Sequence, residues 1–382
     1  MSALRIALAN ITLASRTGTE THLKDLAIGL KRRGHTPLVY SPKLGEIAAE
    51  LRAVGVSVFD RAHEIPEPVD VIHGNHVPVL LSLLLRFGDA PAVSMCHDRV
   101  HWCSGPLRHT RVLRYIAVDD NCRERLNSKP WLAEHQVQVI LNSVDLQRFQ
   151  PRPALPDRPR RALLFSNYAR ESTHLPAVRR ACARAGLELD VVGEGVATAT
   201  SRPELLLPRY DIVFAKARCA LEAMAVGAAV VLCDFNGVGP MVTARELSEL
   251  RRLNFGMRTM QQPLGAEALG VQIARYDSGD ATEVSRWIRK RASLEQMLDA
   301  YEALYDEVAE EHRAGTRASA SAEGLDAARA IEWLTEIAYE AEELRELRRS
   351  RIVRLRERVM GSPRIGPLAA RIGRWTQWPR NR

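Results

Sequence analysis

No stretch of this sequence approaches the roughly 20 consecutive apolar residues needed to cross a bilayer. The longest apolar run, near Val77 to Leu85, is short and carries Pro78 and Ser82. The N-terminus lacks the marks of a secretory leader: Arg5 is its one basic residue, and Asn10 and Thr12 break its apolar run, so it reads as a first buried strand. No C-x-x-C pair occurs among Cys96, Cys103, Cys122, Cys182, Cys219 and Cys233, and no His/Cys cluster has zinc spacing. The expectation is a cytoplasmic protein with reduced thiols and no metal. Acid is nearly missing from one end. From Arg348 to Arg382 eleven arginines stand against the single acid Glu357, a balance of +10 within a net charge of +8, leaving the rest of the chain at −2. The basic character therefore belongs to the tail, and a nucleic-acid-binding surface over the whole protein is not implied.

What remains is an ordinary globular composition, 46% hydrophobic and 26% charged over 382 residues, enough for two domains or slightly more. Short apolar strands alternate with helical patterns from the start. Arg5 to Ile11 reads as a strand and Glu20 to Arg33 as a helix; strands are expected at Thr36 to Tyr40, Val69 to His73, Ala92 to Met95 and Val137 to Ile140. Such alternation indicates a parallel sheet covered on both faces. The segment Gln150 to Arg161 holds four prolines and few apolar residues, and reads as a domain boundary. The alternation then restarts, with strands at Ala162 to Ser166, Leu189 to Val192, Tyr210 to Phe214 and Ala229 to Cys233, and helices at Leu175 to Ala185 and Cys219 to Val226. Two parallel-sheet lobes on a stiff linker form a cleft, and ligands in such folds bind where strands end.

Five constellations lie at those strand ends. Gly18-Thr19-Glu20 opens the first helix, where glycine lets a ligand approach the backbone and free N–H groups favour anions. A capped strand-to-helix turn is its plainer reading. His73-Gly74-Asn75-His76 ends a strand in polar residues, as cleft lining or loop packing. His97-Asp98 follows Cys96; the histidine could steady charge at a reacting oxygen or simply be satisfied by backbone. Asn142-Ser143-Val144-Asp145 suits a tight polar turn. In the fifth, Lys216 and Arg218 flank a helix N-terminus, a plausible diphosphate cradle against the alternative of a solvated basic loop. Glu222, one turn into that otherwise apolar helix, could accept hydrogen bonds from a ribose.

Taken in order, G-T-E, R-G-H, D-V-I-H, C-H-D, N-S-V-D-L-Q-R-F, V-G-E-G and E-A-M-A-V-G resemble glycosyltransferase family 4 over roughly residues 4 to 313. The resemblance implies an α/β, GT-B-like fold: two Rossmann-like domains facing a cleft, plus a C-terminal helical extension. Residues 1–150 would form the acceptor domain, 151–161 a linker, 162–313 the donor domain and closing helix, 314–324 a flexible linker, and 325–382 a helical basic tail. It implies a nucleoside-diphosphate sugar as donor, a glycan, lipid-linked or small-molecule acceptor, no required cofactor, and retention of anomeric configuration by analogy. Gly193 and Glu194 would lie near the base, Glu222 at the ribose, Arg170 at the diphosphate and Gly18 against the donor. His97 and Asp98 are the catalytic candidates, and Glu20, His73 and His76 lie on the acceptor side.

Two departures stand out. The family's first glutamate, eight positions before Glu222, is replaced by Phe214. The lysine expected after Arg170 is missing from Glu171-Ser172-Thr173-His174, and Lys216 with Arg218 is the expected replacement for its charge. A non-catalytic binding or assembly subunit of the same fold, or a nucleotide-sugar epimerase, are the alternatives to an enzyme of cell-surface glycan or glycolipid synthesis. In the tail, Ile365, Leu368, Ile372 and Trp375 share one helical face flanked by Arg364, Arg371 and Arg374. Residues 345–382 are thus the expected contact with an anionic bilayer at the inner membrane face, against the plainer readings of a packed or disordered end.

Overall fold

The computed structural model describes residues 3–315 and 319–349. The chain divides after Ser319. The larger unit holds two α/β lobes; the smaller unit is described over one 30-residue helix, α12 (Ala320–Arg349).

The first lobe is a seven-stranded sheet. Its strands are β1 (Arg5–Ala9), β2 (Thr36–Tyr40), β3 (Ser57–Phe59), β4 (Val71–Gly74), β5 (Ala92–Cys96), β6 (Val112–Ala117) and β7 (Val137–Val139), in the order β3-β2-β1-β4-β5-β6-β7. Every pairing is parallel. Its helices are α1 (Gly18–Arg32), α2 (Glu46–Ala53), α3 (Val77–Arg86) and α4 (Asp120–Asn127). Helix α1 carries Glu20 in its first turn and Lys31 and Arg32 in its last, as the helix dipole favours. The interrupted apolar run at Val77 is helix α3, with Pro78 in its first turn, where the missing N–H costs nothing.

The second lobe comprises β8 (Arg161–Phe165), α5 (Leu175–Arg184), β9 (Glu188–Val192), α6 (Pro203–Leu206), β10 (Ile212–Ala215), α7 (Ala217–Val226), β11 (Ala229–Asp234), β12 (Gly237–Met241), α8 (Leu247–Arg252), α9 (Ala266–Ile273) and α10 (Ser278–Arg291). Its sheet order is β12-β11-β10-β8-β9. Side chains alternate between two buried clusters: Leu163, Val213, Val230 and Leu232 pack with α7 and α10, while Leu164, Phe214, Val231 and Cys233 pack with α5 and α9. That two-sided burial is why the strands read as continuous apolar runs. The edge strand β12 is antiparallel to β11, a hairpin that the βα alternation does not signal.

Between lobes the chain crosses twice, and the two crossings run side by side. Val144 donates to Ala292 O at 2.9 Å and accepts from Leu294 N at 2.9 Å. The second crossing leads into α11 (Leu294–Ala314), whose Ser293 cap and Gln296 form a reciprocal capping box. Helix α11 packs on the first lobe: Arg33 pairs with Glu295 and Asp299 at 2.7 Å each, and His35 Nε2 lies 2.9 Å from Glu302. The segment expected as the close of the donor domain thus belongs to the first lobe by packing. Helix α12 begins at Ala320, inside the stretch expected as a linker. No helix among the described residues is long and apolar enough to cross a membrane. Ile365, Leu368, Ile372 and Trp375, and the membrane contact expected of them, lie outside the described residues.

Candidate active site

In the first sheet the strand order reverses between β1 and β4, and loops leaving such a switch point open a crevice. The β1–α1 loop is folded around Glu20, which is 1% exposed and accepts hydrogen bonds from Ser15 Oγ and Thr19 Oγ1 at 2.9 Å each, and from Thr17. The loop ends at Gly18, where an added Cβ would meet no atom within 4 Å, so the helix start faces open space. Behind it runs a directional chain of polar contacts. Tyr305 of α11 donates to His73 Nδ1 at 2.6 Å; His73 Nε2 donates to Asn75 Oδ1 at 3.1 Å, a tautomer assigned from its partners. Asn75 donates to Asn10 Oδ1 at 3.2 Å, and Asn10 to Thr12 O at 2.7 Å.

His97, at the end of β5, packs edge-on against His22 with centroids 5.3 Å apart and stacks on His76 at 6.3 Å. Burial, then the neighbouring His22, His76 and His73, hold its pKa well below the ordinary imidazole value, so the ring is neutral. Its Nε2 is buried without a hydrogen-bond partner, a polar atom that a hydroxyl group could satisfy. Burial likewise lowers His76 to about 4 and His22 to about 3.

The facing wall comes from the second lobe. The β8–α5 loop, Ser166 to His174, is pressed by the turn after β9: a Cβ on Gly193 would lie 2.0 Å from Ser166 O, and one on Gly195 2.3 Å from Ala169 O. Only glycine permits that approach. Asn167 donates to Arg16 O at 3.3 Å across the lobes, and Glu194 accepts from Arg16 N at 3.5 Å. Arg170 is exposed, and its guanidinium has no ion pair among the described residues. A single residue, Lys216, joins β10 to α7, and Ala217 takes up the tight turn at φ +48°, with its N–H on Phe255 O at 2.8 Å. Burial lowers the Lys216 ammonium to about 8, opposed by Cys219 and Asp98. It pairs with the fully buried Asp234.

In the first turn of α7, Arg218 joins the lobes. It donates to Glu222 Oε1 at 3.0 Å and to Asp25 of α1, and all three side chains are nearly sealed from solvent. Burial alone would pull the guanidinium down, but Asp25 and Glu222 outweigh it and hold the group above its ordinary value. Burial raises the Glu222 carboxyl, against the opposing effect of Arg218. Among the described residues no three His, Cys, Asp or Glu side chains are grouped to hold a metal.

Residues 16–148 match the family described as Glycosyltransferase Family 4. The fold resembles that of a glycosyltransferase from Rickettsia africae ESF-5, at 16% identity and a TM-score of 0.59, covering 81% of this chain and 99% of that one. It also resembles Anabaena Alr3699/HepE in complex with UDP and glucose, at 14% identity and a TM-score of 0.60, covering 79% and 99%. The chain has the GT-B fold of these glycosyltransferases, and its first lobe carries the family 4 pattern. No curated protein matches it.

Several site assignments change with the geometry. Glu20 and His73 are committed to internal hydrogen bonds and do not line an acceptor surface. Asp98 spends Oδ1 on the backbone N–H groups of Val100 and His101, 2.7 Å each, and so shapes the loop. Arg218 is consumed by two carboxylates and Lys216 by Asp234, so the pair does not supply free charge for the missing lysine. Gly18, Gly193, Glu194 and Arg170 stand at facing strand ends, and Glu222 lies at the lobe junction. Asp25, Asn167, Tyr168, Asp234 and Phe235 were not singled out from sequence. Asp234 and Phe235 end β11, and the strand-end rule would have flagged them; Asp25 carries no local signal.

Proposed function

We propose that this enzyme transfers a sugar from a nucleoside-diphosphate sugar to an acceptor hydroxyl, with the donor seated on the second lobe. The observation that carries the reading is the apposition of two glycine-dependent strand ends, the open Gly18 turn and the Gly193–Gly195 turn, tied across the lobes by Asn167 and Glu194. In this arrangement the unpaired Arg170 and the start of α7 answer the diphosphate charge as it leaves. Glu222, with Oε1 on Arg218, offers Oε2 to a ribose hydroxyl. Neutral His97 holds a sugar hydroxyl through its unpartnered Nε2. Positioning and electrostatics then supply the catalysis, without a metal and with retention of configuration. An acceptor destined for cell-surface glycan or glycolipid is supported by the arginine-rich tail.

The test is thermal unfolding of the full chain with UDP, GDP, ADP and dTDP and their hexose conjugates. A bound nucleotide at about a hundred times its dissociation constant adds about 2.7 kcal/mol, and slow nucleotide release from a conjugate shows turnover. No shift with any nucleotide overturns the reading. Shifts without release under any acceptor favour a non-catalytic binding subunit, a reading supported by the one-residue β10–α7 connection, which leaves no loop to carry a donor-sugar carboxylate.

A further inference from the structure

Two aromatic side chains stand open at the carboxyl end of the second sheet. Tyr168, in the loop after β8, is 50% exposed, and Phe235, after β11, is 43% exposed. Their rings meet edge to face with centroids 5.6 Å apart. Between their strands sits Lys216, its Nζ 5.0 Å from the Tyr168 centroid and 5.5 Å from that of Phe235, and paired with Asp234. Packing of the fold does not need these rings exposed, and water is a poor neighbour for two adjoining aromatic faces.

A pyranose ring is the chemical complement. Its axial C–H bonds gather on one face as an apolar, weakly positive patch that suits the negative face of an aromatic ring. Its hydroxyls accept hydrogen bonds from an ammonium, which the partly exposed Lys216 presents while the buried Asp234 balances its charge. The place also fits. With a diphosphate at the start of α7, the Gly193 turn lies toward the β9 edge of the sheet, and Phe235 lies on the opposite, β11 side. Base and sugar leave a diphosphate in opposite directions, so the β11 side receives the sugar. The one-residue β10–α7 connection has no side chain beyond Lys216 to meet it, which leaves the contact to the neighbouring strand ends.

We propose that Tyr168, Phe235 and Lys216, its charge balanced by the buried Asp234, form the subsite for the donor's sugar, a neutral hexopyranose laid with its apolar face on the two rings. The inference rests on the donor reading above and deepens it. Asp234 already answers the Lys216 charge, so the subsite has no surplus cation for an acidic sugar.

The experiment measures dissociation constants of the full chain and of Tyr168→Ala, Phe235→Ala and Tyr168→Trp, with UDP, GDP, ADP and dTDP and with their neutral hexose and hexuronic acid conjugates. For the nucleotide that binds, each alanine variant should weaken the neutral hexose conjugate by about tenfold and the free diphosphate by less than about twofold. Tyr168→Trp should restore the conjugate's affinity, and the hexuronic acid conjugate should bind no tighter than the neutral one. Equal losses for diphosphate and conjugate would mean that the rings hold the base, and unchanged affinities would mean that they hold neither; both overturn the subsite while leaving the donor reading intact. A parent chain that binds no nucleotide strikes the donor reading itself, and the subsite with it. Both rings are largely exposed, so the variants should unfold at the parent temperature.

Discussion

Gly193 illustrates how a single residue type is dictated by what lies beside it. A methyl group there would sit 2.0 Å from Ser166 O, a backbone atom that cannot rotate away. Gly193→Ala must therefore push the β9 turn off the β8–α5 loop, the loop that holds Asn167, Tyr168 and Arg170. The expected cost is about 1–3 kcal/mol of stability, typical of forced overpacking, with a larger loss of nucleotide affinity than the stability change explains. Gly18→Ala meets no atom and serves as the control; equal behaviour of the two variants in thermal unfolding would refute the argument. The places of Arg170 after a strand and of Glu222 one turn into a helix were legible from sequence, because strand and helix patterns are local. The pairing of Arg218 with Asp25 was not, since the two are 193 residues apart and meet only when the lobes do.

At the scale of elements, α11 is the informative one. It follows the second lobe in sequence yet packs on the first, through Tyr301 and Tyr305, both fully buried, and through the Arg33 and His35 pairs. Its Tyr305 begins the polar chain that ends at Thr12 O, so a helix at the end of the fold fixes the loop that leads to Gly18. Tyr305→Phe removes the donor to His73 Nδ1 and leaves a buried nitrogen unpaired, at a cost of about 1–3 kcal/mol. The unfolding midpoint should fall accordingly, and hydrogen exchange in residues 10–19 should quicken more than in the second lobe. A uniform change would mean that the chain of contacts does not carry order to the loop. The helix itself was expected, as the closing helix of the span that ends at residue 313. Its docking partner was not, because amphipathic spacing shows that a face is buried without showing against what.

For the whole molecule, the buried histidines set the response to acid. His73 and His76 are lowered from 6.5 to about 4, and His22 to about 3, mainly by burial. An unfolded chain takes up these protons near pH 6.5 while the folded one refuses them. Each histidine's full contribution is therefore present above about 6.5 and is lost as pH falls toward the folded value, at most about 3 kcal/mol each for His73 and His76 and about 5 kcal/mol for His22. The unfolding temperature should be level from about pH 8 to 7 and drop steeply between about 6 and 4.5. A flat profile through that range would show that the cluster is hydrated. Two of these rings, His22 of α1 and His76 at the β4–α3 junction, each meet His97 at the end of β5.

Sequence alone determined the two α/β lobes, the proline-rich boundary and the strand ends where a ligand must bind, because period, apolar runs and turn residues are local properties of the chain. Tertiary structure decided which of the charged residues at those ends remain free. Lys216, Arg218 and His73 carry the right chemistry for a ligand, but each meets a partner inside the fold, from Asp234 eighteen residues along to Tyr305 at a separation of 232. A charge or a ring nitrogen is available to a substrate only if folding leaves it unanswered, and that is settled by contacts between distant segments.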